Sequence, residues 1–320
     1  MSVKIKELLD TLEIGQAQSQ ENITVFPLFM RDGGQLDYLT LKDALEKKLI
    51  AIKEVSAGGS VPELIVEVAA DINVLILDGE ELFGAKQNRI LNASVMLGGR
   101  SNTVIPVSCT EQGRWSYTSA SFSDADNIAN YKLRAANIHS VVNSLKSTGR
   151  HRSDQGEVWH GISDLQLKHK VMSRTSAMRD VYEAKKLDLG KYTSAFKLSK
   201  GQKGMLVFIN GIPAGLELIS REDAFQKYFA KLLRSYCIDA MQDDKAVTGE
   251  IPADKAKGFI EGLANCKESR YASVGRGQDY RYESEGLTGS ALEVDGEVVH
   301  LAFLRVSKDM QRKSRPDIII

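Results

Sequence analysis

The sequence predicts an α+β fold in which a mostly antiparallel β region precedes a helical region with two further hairpins. Over the first 120 residues, short apolar runs follow one another closely and are separated by Gly, Asp and Asn. From residue 123 onward, apolar residues instead recur every three or four positions, which is the helical period. Two turn signals, Asn210-Gly211 and Asp295-Gly296, each lie between two apolar runs. Closely spaced strands favour a sandwich or barrel-like sheet in the first part.

The β region begins after a short amphipathic segment, residues 3–14, which is predicted to be helical. Residues 41–48 are predicted to form a second helical segment within this region. The two last strands flank residues 98–102, so they are predicted to pair as one hairpin in which partner numbers sum to about 200. The predicted strands are 23–30, 38–41, 51–55, 64–68, 74–77, 90–97 and 103–109.

The helical region is predicted to begin at Ser123, a candidate N-cap, with a helix that ends at Thr148-Gly149. Further helices are predicted from Val158 to about residue 185, through 225–236, and over 252–266 with Pro252 near the first turn. The hairpins are predicted at 205–219 and 291–306. We interpret residues 1–320 as one α+β domain, with its β part at about 20–120, its helical part at 121–306 and a tail at 307–320. The loop 148–155 is where a boundary would fall if there were two domains.

Composition narrows the class of protein. Forty-two basic residues balance 42 acidic ones, so non-specific nucleic-acid binding through an overall positive field is not expected. No apolar run reaches the roughly 18 residues that span a bilayer, and the N-terminus has no signal-peptide core, so membrane association is not expected. Cys109, Cys237 and Cys266 show no CxxC spacing, which argues against a zinc knuckle or a disulfide framework. These features predict a cytoplasmic protein.

Polar residues gather at the open end of the predicted 90–109 hairpin. In the predicted register, Arg89 lies opposite Glu111 and Asn88 lies opposite Gln112. Turn chemistry belongs at the other end of a hairpin, so this convergence predicts a functional site. The predicted ligand-binding residues are Lys86, Gln87, Asn88, Arg89, Gln112, Arg114 and Trp115.

The residue types at this end suit a phosphorylated ligand that carries a base or a sugar. Lys86, Arg89 and Arg114 are predicted to form an anion-binding group, because an arginine fork donates two parallel hydrogen bonds to phosphate. The amide side chains between them would contact hydroxyls or base edges, and Trp115 and Tyr117 would offer a stacking surface. The alternative is structural: both polar clusters hold the sheet together, and Arg89→Ala lowers stability sharply.

Two residues of the cluster are candidates for catalysis. Glu111 is the candidate general acid or base, and its alternative role is a salt-bridge partner that orients an arginine. Cys109 is a candidate nucleophile if a nearby cation lowers its pKa, and its alternative role is that of a small buried hydrophobe. The five histidines contain no HxH or HExxH pair, and neither GxxxxGK[ST] nor a strand-linked GxGxxG is present. No metal or cofactor is therefore predicted.

The hairpin segments DGEELFGAKQNRILNASVML and TVIPVSCTEQGRW resemble the ARPP domain family. Three later segments, QGEVWHGI, GMLVFINGIPAGLEL and LTGSALEVDGEVVHLAF, are similar to later blocks of that family, so the resemblance covers residues 20–305. The family name refers to an association with ADP-ribosylglycohydrolases and with rhodanese- or phosphatase-superfamily proteins. The resemblance implies a place in bacterial NAD- or ADP-ribose-linked pathways or in phage-defence loci.

Together, the resemblance and the residues predict that the protein binds, and processes by hydrolysis, an ADP-ribose-type or other nucleotide-phosphate ligand. The alternative is a non-catalytic module that senses such a ligand or acts as a scaffold, as a homo-oligomer or with a partner enzyme. The predicted site contains no evident nucleophile–base pair or metal set. The sequence therefore leaves both functions open.

Overall fold

A computed structural model describes residues 1–31, 34–56, 58–242 and 249–306 of the chain. The fold is α+β with mostly antiparallel sheets and a β-rich N-terminal part, which confirms the predicted fold class. The predicted tail, residues 307–320, lies outside the described residues.

The N-terminal part is built mainly from short strands. Its two helices are α1 (Val3–Asp10) and α2 (Leu41–Glu46). Its strands are β1 (Glu13–Ile14), β2 (Gln18–Gln20), β3 (Ile23–Phe29), β4 (Leu39–Thr40), β5 (Ile50–Glu54), β6 (Glu63–Val68), β7 (Val74–Ile76), β8 (Glu80–Gly84), β9 (Arg89–Leu91), β10 (Val95–Leu97), β11 (Asn102–Cys109) and β12 (Phe122–Ile128).

The C-terminal part combines longer helices with long strands. Its helices are α3 (Tyr131–Thr148), α4 (Gln155–His169), α5 (Met178–Ala184), α6 (Lys186–Thr193), α7 (Glu222–Ala240) and α8 (Ala253–Gly262), the last followed by a 3-10 turn at Leu263–Asn265. Its strands are β13 (Gly204–Ile209), β14 (Ile212–Ile219), β15 (Lys267–Ala272), β16 (Gln278–Ser284), β17 (Leu287–Val294) and β18 (Glu297–Arg305).

The sheet that carries the predicted site has the strand order β12-β8-β9-β11-β6-β5. Its two outer strands, β5 and β12, approach each other, so the sheet curls into a half-barrel. Apolar side chains on its inner face, among them Ile52, Val66, Leu82 and Val107, form one buried core with α2. This curl brings the end of the edge strand β5 close to the loop between β8 and β9, although β5 and β8 are not neighbours in the sheet.

The second large sheet has the order β1-β3-β13-β14-β18-β17-β16-β15, with β2 paired to β3. Strand residues alternate between its two faces. Leu206 and Phe208 pack on one face in a core shared with α1 and α8, whereas Met205 and Val207 pack on the other face against the main helical core. A small third sheet, β10-β7-β4, contains the parallel pair β4–β7.

A buried ion network joins the N-terminal half to this second sheet. Arg134 of α3 contacts Asp78, between β7 and β8, at 3.3 Å, and Glu217 of β14 at 2.5 Å. All three side chains are buried, and Tyr236 donates a further hydrogen bond to Glu217 at 2.9 Å. Gly79 adopts φ +77°, and a Cβ there would lie 2.7 Å from the Arg134 side chain, so glycine gives the arginine its room.

Both predicted hairpins of the C-terminal part are confirmed. The turn between β13 and β14 has φ of 51° at Asn210 and 72° at Gly211. The turn between β17 and β18 has φ of 50° at Asp295 and 84° at Gly296. Two consecutive residues with positive φ are the requirement of a type I′ turn, which explains why Asn-Gly and Asp-Gly predicted these hairpins correctly.

The prediction of a single strand over residues 90–97 is wrong. β9 ends at Leu91 and pairs with β8 and β11, whereas β10 pairs with β7 in another sheet. Two buried side chains hold the intervening break: Asn92 accepts a hydrogen bond from Ser108 at 2.8 Å, and Ser94 accepts one from the Asp78 N–H at 2.9 Å. Short polar side chains thus accept hydrogen bonds from a hydroxyl group and a backbone N–H where the strand stops.

The predicted helix boundaries also need two corrections. Ser123 is not an N-cap, because residues 122–128 form β12 and the helix starts at Tyr131 after Asn130. The second predicted helix ends at His169, where Lys170 takes the left-handed conformation, and two separate helices follow. Among the strands that were not predicted, β8, β15 and β16 are rich in charged residues, so their apolar signal is weak.

Candidate ligand-binding site

The predicted cluster forms where β8 and β11 end and β9 begins, but the strands pair in a different register from the predicted one. Arg89 lies opposite Cys109 rather than Glu111, so the pairing is shifted by two residues. The turn between β8 and β9 is tight, with φ of 121° at Gly84 and 41° at Ala85. All predicted site residues except the exposed Gln112 are brought together here.

Glu111 and Arg114 form an ion pair within the cluster, and both side chains have further protein partners. Oε2 of Glu111 lies 2.6 Å from Nη2 of Arg114, and its Oε1 accepts a hydrogen bond from the Thr175 hydroxyl at 2.9 Å. Nη1 of Arg114 donates to the carbonyl oxygens of Ala85 and Ser116 at 2.8 and 2.9 Å. The carboxylate therefore orients an arginine, as in the structural alternative, although that arginine is Arg114 and not Arg89.

The two amide side chains are held by protein groups. Asn88 Oδ1 accepts hydrogen bonds from the Gly84 N–H at 3.3 Å and from Arg114 at 3.1 Å. Gln87 donates to the Glu111 carbonyl and accepts from Nη1 of Arg89, both at 3.0 Å. The Gln87 bond positions the Arg89 guanidinium, and the Asn88 oxygen is committed to protein donors.

Cys109 is a buried free thiol opposite Arg89. Burial raises the pKa of the Cys109 thiol, so sulfur stays protonated and is a weak nucleophile. The side chain of Gln155, the first residue of α4, bonds both backbone groups of Cys109, at 2.7 and 2.9 Å. This environment is that of a small buried side chain.

Arg89 is a buried cation of this cluster that keeps unpaired hydrogen-bond donors. Its side chain is fully buried, and Nη1 donates to Gln87 at 3.0 Å and to the Asn88 carbonyl at 3.3 Å. Within the described ranges, its Nε and Nη2 have no hydrogen-bond partner. Burial lowers the pKa of Arg89, which means that the fold destabilises its charged form. Two nitrogen atoms on one edge of the guanidinium are thus buried and unpaired among the described residues.

Two exposed aromatic rings and a lysine surround this arginine. Trp115 and Tyr117 are 48% and 52% exposed. The Lys86 ammonium lies 5.2 and 5.1 Å from their ring centroids, and the Arg89 guanidinium lies 5.7 Å from that of Trp115. Lys86 also donates to the Gly58 carbonyl at 2.6 Å. The cations are therefore held beside aromatic surface that solvent can reach.

One residue of the site was not predicted from the sequence. Glu54, the last residue of β5, accepts a hydrogen bond from the Lys86 N–H at 3.4 Å. Its other oxygen, Oε2, is buried and has no partner among the described residues. No local signal marks Glu54, because only the curl of the sheet brings the end of β5 to the β8–β9 turn.

Glu81 is a buried carboxyl group next to the cluster. It lies opposite Ile90 and accepts a hydrogen bond from the Thr110 hydroxyl at 3.0 Å. Burial raises its pKa from 4.5 to about 8. The carboxyl group therefore carries a proton at neutral pH, which avoids a buried charge.

Glu81→Gln is expected to raise the melting temperature relative to wild type at pH 9 and to change it little at pH 5. A carboxyl group whose folded pKa is raised contributes full stability below pH 4.5, and this contribution is lost as pH rises through about 8. Glutamine keeps the shape without the ionisation. Melting temperatures at pH 5, 7 and 9 test this, with the exposed Glu63→Gln as control. A wild-type-to-variant difference that does not change with pH would contradict it.

No group of three or more His, Cys, Asp or Glu side chains with metal-binding geometry occurs in the described part of the chain. None of the described helices has the length and apolar character that crossing a membrane requires.

Comparison with known protein families gives a match over most of the chain. The family model described as "ARG and Rhodanese-Phosphatase-superfamily-associated Protein domain", ARPP-1, matches residues 11–304, which is nearly the whole chain. No curated protein and no solved structure matches the chain.

Proposed function

The chain belongs to the ARPP-1 family, and on that premise we propose that it binds an ADP-ribose-type or other nucleotide-phosphate ligand at Arg89, where β9 begins. One observation carries the proposal: the fully buried Arg89 has two guanidinium nitrogens, Nε and Nη2, without a hydrogen-bond partner among the described residues. The family name, which refers to ADP-ribosylglycohydrolase and rhodanese–phosphatase associations, supports a ligand of this class.

The free N–H groups are costly unless an acceptor binds them. Leaving one buried donor unpaired costs roughly 1–3 kcal/mol, and more when the group is charged. Nε and Nη2 form one edge of the guanidinium, and this edge matches two oxygens of a phosphate. An anionic ligand at Arg89 would therefore supply the hydrogen-bond acceptors that the described part of the fold does not.

The surroundings of Arg89 suit the rest of a nucleotide. Lys86 adds a second positive charge within about 5 Å of the rings of Trp115 and Tyr117. Both rings are about half exposed, so a base can stack on them beside the bound phosphate. Arg114 is committed to Glu111 and to backbone carbonyls, so phosphate binding falls to Arg89 and Lys86.

Ligand sensing without turnover is the form of the function that the geometry favours. Both oxygens of Glu111 already have protein partners, and burial raises the pKa of the Cys109 thiol. Neither group is therefore prepared for acid–base or nucleophilic work. Such a sensor would act in an NAD- or ADP-ribose-linked pathway, including phage defence, by reporting the ligand to a partner enzyme or to a second copy of the chain.

A thermal-shift panel tests the proposal. We expect stabilisation by ADP-ribose or another nucleotide phosphate, and none by the matching nucleosides without phosphate. A ligand at 100 times its dissociation constant stabilises by roughly 2.7 kcal/mol, which such an assay detects. The panel includes NAD, cyclic nucleotides, adenosine and inorganic phosphate. If no phosphate compound raises the melting temperature, the proposed function is wrong.

Glu111→Gln is expected to keep ligand binding and to lower the free energy of unfolding by about 1–3 kcal/mol, because the buried ion pair with Arg114 is lost. Chromatography of ADP-ribose incubated with each protein is expected to show no product from either one. Binding is checked by thermal shift under the same conditions. Product formed by wild type and abolished in the variant would instead identify a hydrolase in which Glu111 is the acid or base.

A further inference from the structure

Glu54 places an unpaired carboxylate oxygen beside the aromatic and cationic groups of the site. Its Oε1 accepts the Lys86 N–H at 3.4 Å, and its Oε2 is buried without a partner in the described part of the chain. A Cβ at Gly59 would lie 3.4 Å from this Oε2 and 3.3 Å from Cζ2 of Trp115. The same point lies 3.1 Å from Cδ of Lys86. One glycine therefore marks where carboxylate, indole and lysine converge.

A free carboxylate oxygen at this place restricts what the ligand can be. A carboxylate accepts hydrogen bonds only, so it repels a second anion and attracts a hydroxyl or an amino group. Arg89 requires hydrogen-bond acceptors on the ligand, because its unpaired nitrogen atoms are donors. The site therefore presents donors and an acceptor together, and a bare phosphate or pyrophosphate satisfies only the donors.

We infer that the site selects a ribose phosphate, with the phosphate on Arg89 and a ribose hydroxyl donating to Oε2 of Glu54. This inference rests on the proposed function and deepens it, since it makes Glu54 the residue that distinguishes sugar phosphates from simple phosphates. A ribose phosphate carries hydroxyl donors close to phosphate acceptors on one small framework. Carboxylate recognition of a ribose hydroxyl beside a phosphate site is chemistry that nucleotide-binding proteins use generally.

The inference predicts that Glu54→Gln changes the affinities for two compounds in opposite directions. Ribose 5-phosphate binding is expected to weaken about tenfold, which corresponds to about 1.4 kcal/mol, because the charge-assisted hydrogen bond is lost. Inorganic phosphate binding is expected to strengthen several-fold, because a repelling charge is replaced by an amide that can donate. Isothermal titration calorimetry with the two compounds measures both changes in one pair of proteins.

Two further variants control for charge and for folding. Glu63→Gln makes the same substitution at an exposed position of β6 and is expected to leave both affinities unchanged. Glu54→Asp keeps the charge on a shorter side chain, so it is expected to weaken ribose 5-phosphate binding without a gain for inorganic phosphate. Circular dichroism melting of each variant verifies that the fold is retained before titration.

The outcomes separate this inference from the proposed function. If wild type binds both compounds through Arg89 and Glu54→Gln changes neither affinity, Glu54 does not select the sugar, although the phosphate site stands. If the Glu54→Gln effect occurs with ADP-ribose but not with ribose 5-phosphate, the donor to Glu54 is a group that ribose 5-phosphate lacks, and the inference is wrong. If wild type binds no phosphate compound, both proposals are overturned.

Discussion

Arg89→Met is expected to abolish the stabilisation by nucleotide phosphates while the unliganded protein keeps its stability. The loss of a buried, hydrogen-bonded charge contact to a ligand costs roughly 2–5 kcal/mol of binding free energy. The folded state itself loses the Nη1 bonds to Gln87 and to the Asn88 carbonyl, together with the contact between the guanidinium and the Trp115 ring. Against this loss, methionine removes a buried cation whose charged form burial destabilises. We expect the free energy of unfolding to fall by no more than about 1 kcal/mol, or to rise.

This result would distinguish a ligand site from a structural arginine. Urea unfolding followed by circular dichroism measures the stability, and thermal shift with ADP-ribose measures the response. Arg305→Met, at an exposed position of β18, is the matched control and is expected to retain the ligand response. If Arg89→Met unfolds several kcal/mol more easily and wild type shows no ligand response, the structural interpretation of the cluster is correct.

Arg134→Met is expected to lower the free energy of unfolding by about 3–5 kcal/mol, the largest stability change that we expect from a single substitution in this protein. The arginine contacts the carboxylates of Asp78 and Glu217 at 3.3 and 2.5 Å, and all three side chains are buried. Removing the cation leaves two buried negative charges without their counter-ion. Urea unfolding at pH 7 measures the change.

The same network sets the pH dependence of the stability difference between wild type and Arg134→Met. Although burial alone would raise them, the Arg134 charge holds the pKa values of Asp78 and Glu217 below their ordinary range. Groups with lowered folded pKa values stabilise above their unfolded pKa values, near pH 4, and lose this contribution as pH falls through the folded values. The gap between wild type and Arg134→Met is therefore expected to narrow in acid.

A second substitution checks the electrostatic origin of the effect. In Arg134→Met combined with Glu217→Gln, one of the stranded charges is gone, so the double variant is expected to be more stable than Arg134→Met alone. If Arg134→Met is within 1 kcal/mol of wild type at pH 7, the network does not join the two halves of the fold as the geometry indicates.

The parts of the fold that the sequence predicted well are those with local causes. The Asn210-Gly211 and Asp295-Gly296 turns need positive φ at two residues, and this requirement is written in the dipeptides themselves. β8 was missed because Glu80 and Glu81 are charged residues in a buried strand. Its burial depends on distant partners such as Lys231. This lysine lies 2.7 Å from Glu80 in the fold but 151 residues away in the chain.

The site shows the same division between local and distant causes. The sequence predicted that polar residues gather at one end of β9 and β11, but it did not reveal which of them were already bonded to protein groups. That distinction depends on residues such as Thr175, which reaches Glu111 from a distant loop. Glu54 was missed for a related reason, because the curl of a whole sheet brings it to Lys86.

The most direct measurement is isothermal titration calorimetry of wild type and Arg89→Met with ADP-ribose under identical conditions. We expect saturable binding to wild type and a dissociation constant at least thirtyfold weaker, roughly 2 kcal/mol or more, in the folded variant. Equal affinity in the two proteins would show that Arg89 does not hold the ligand. No binding to wild type would show that ADP-ribose is not a ligand of this site.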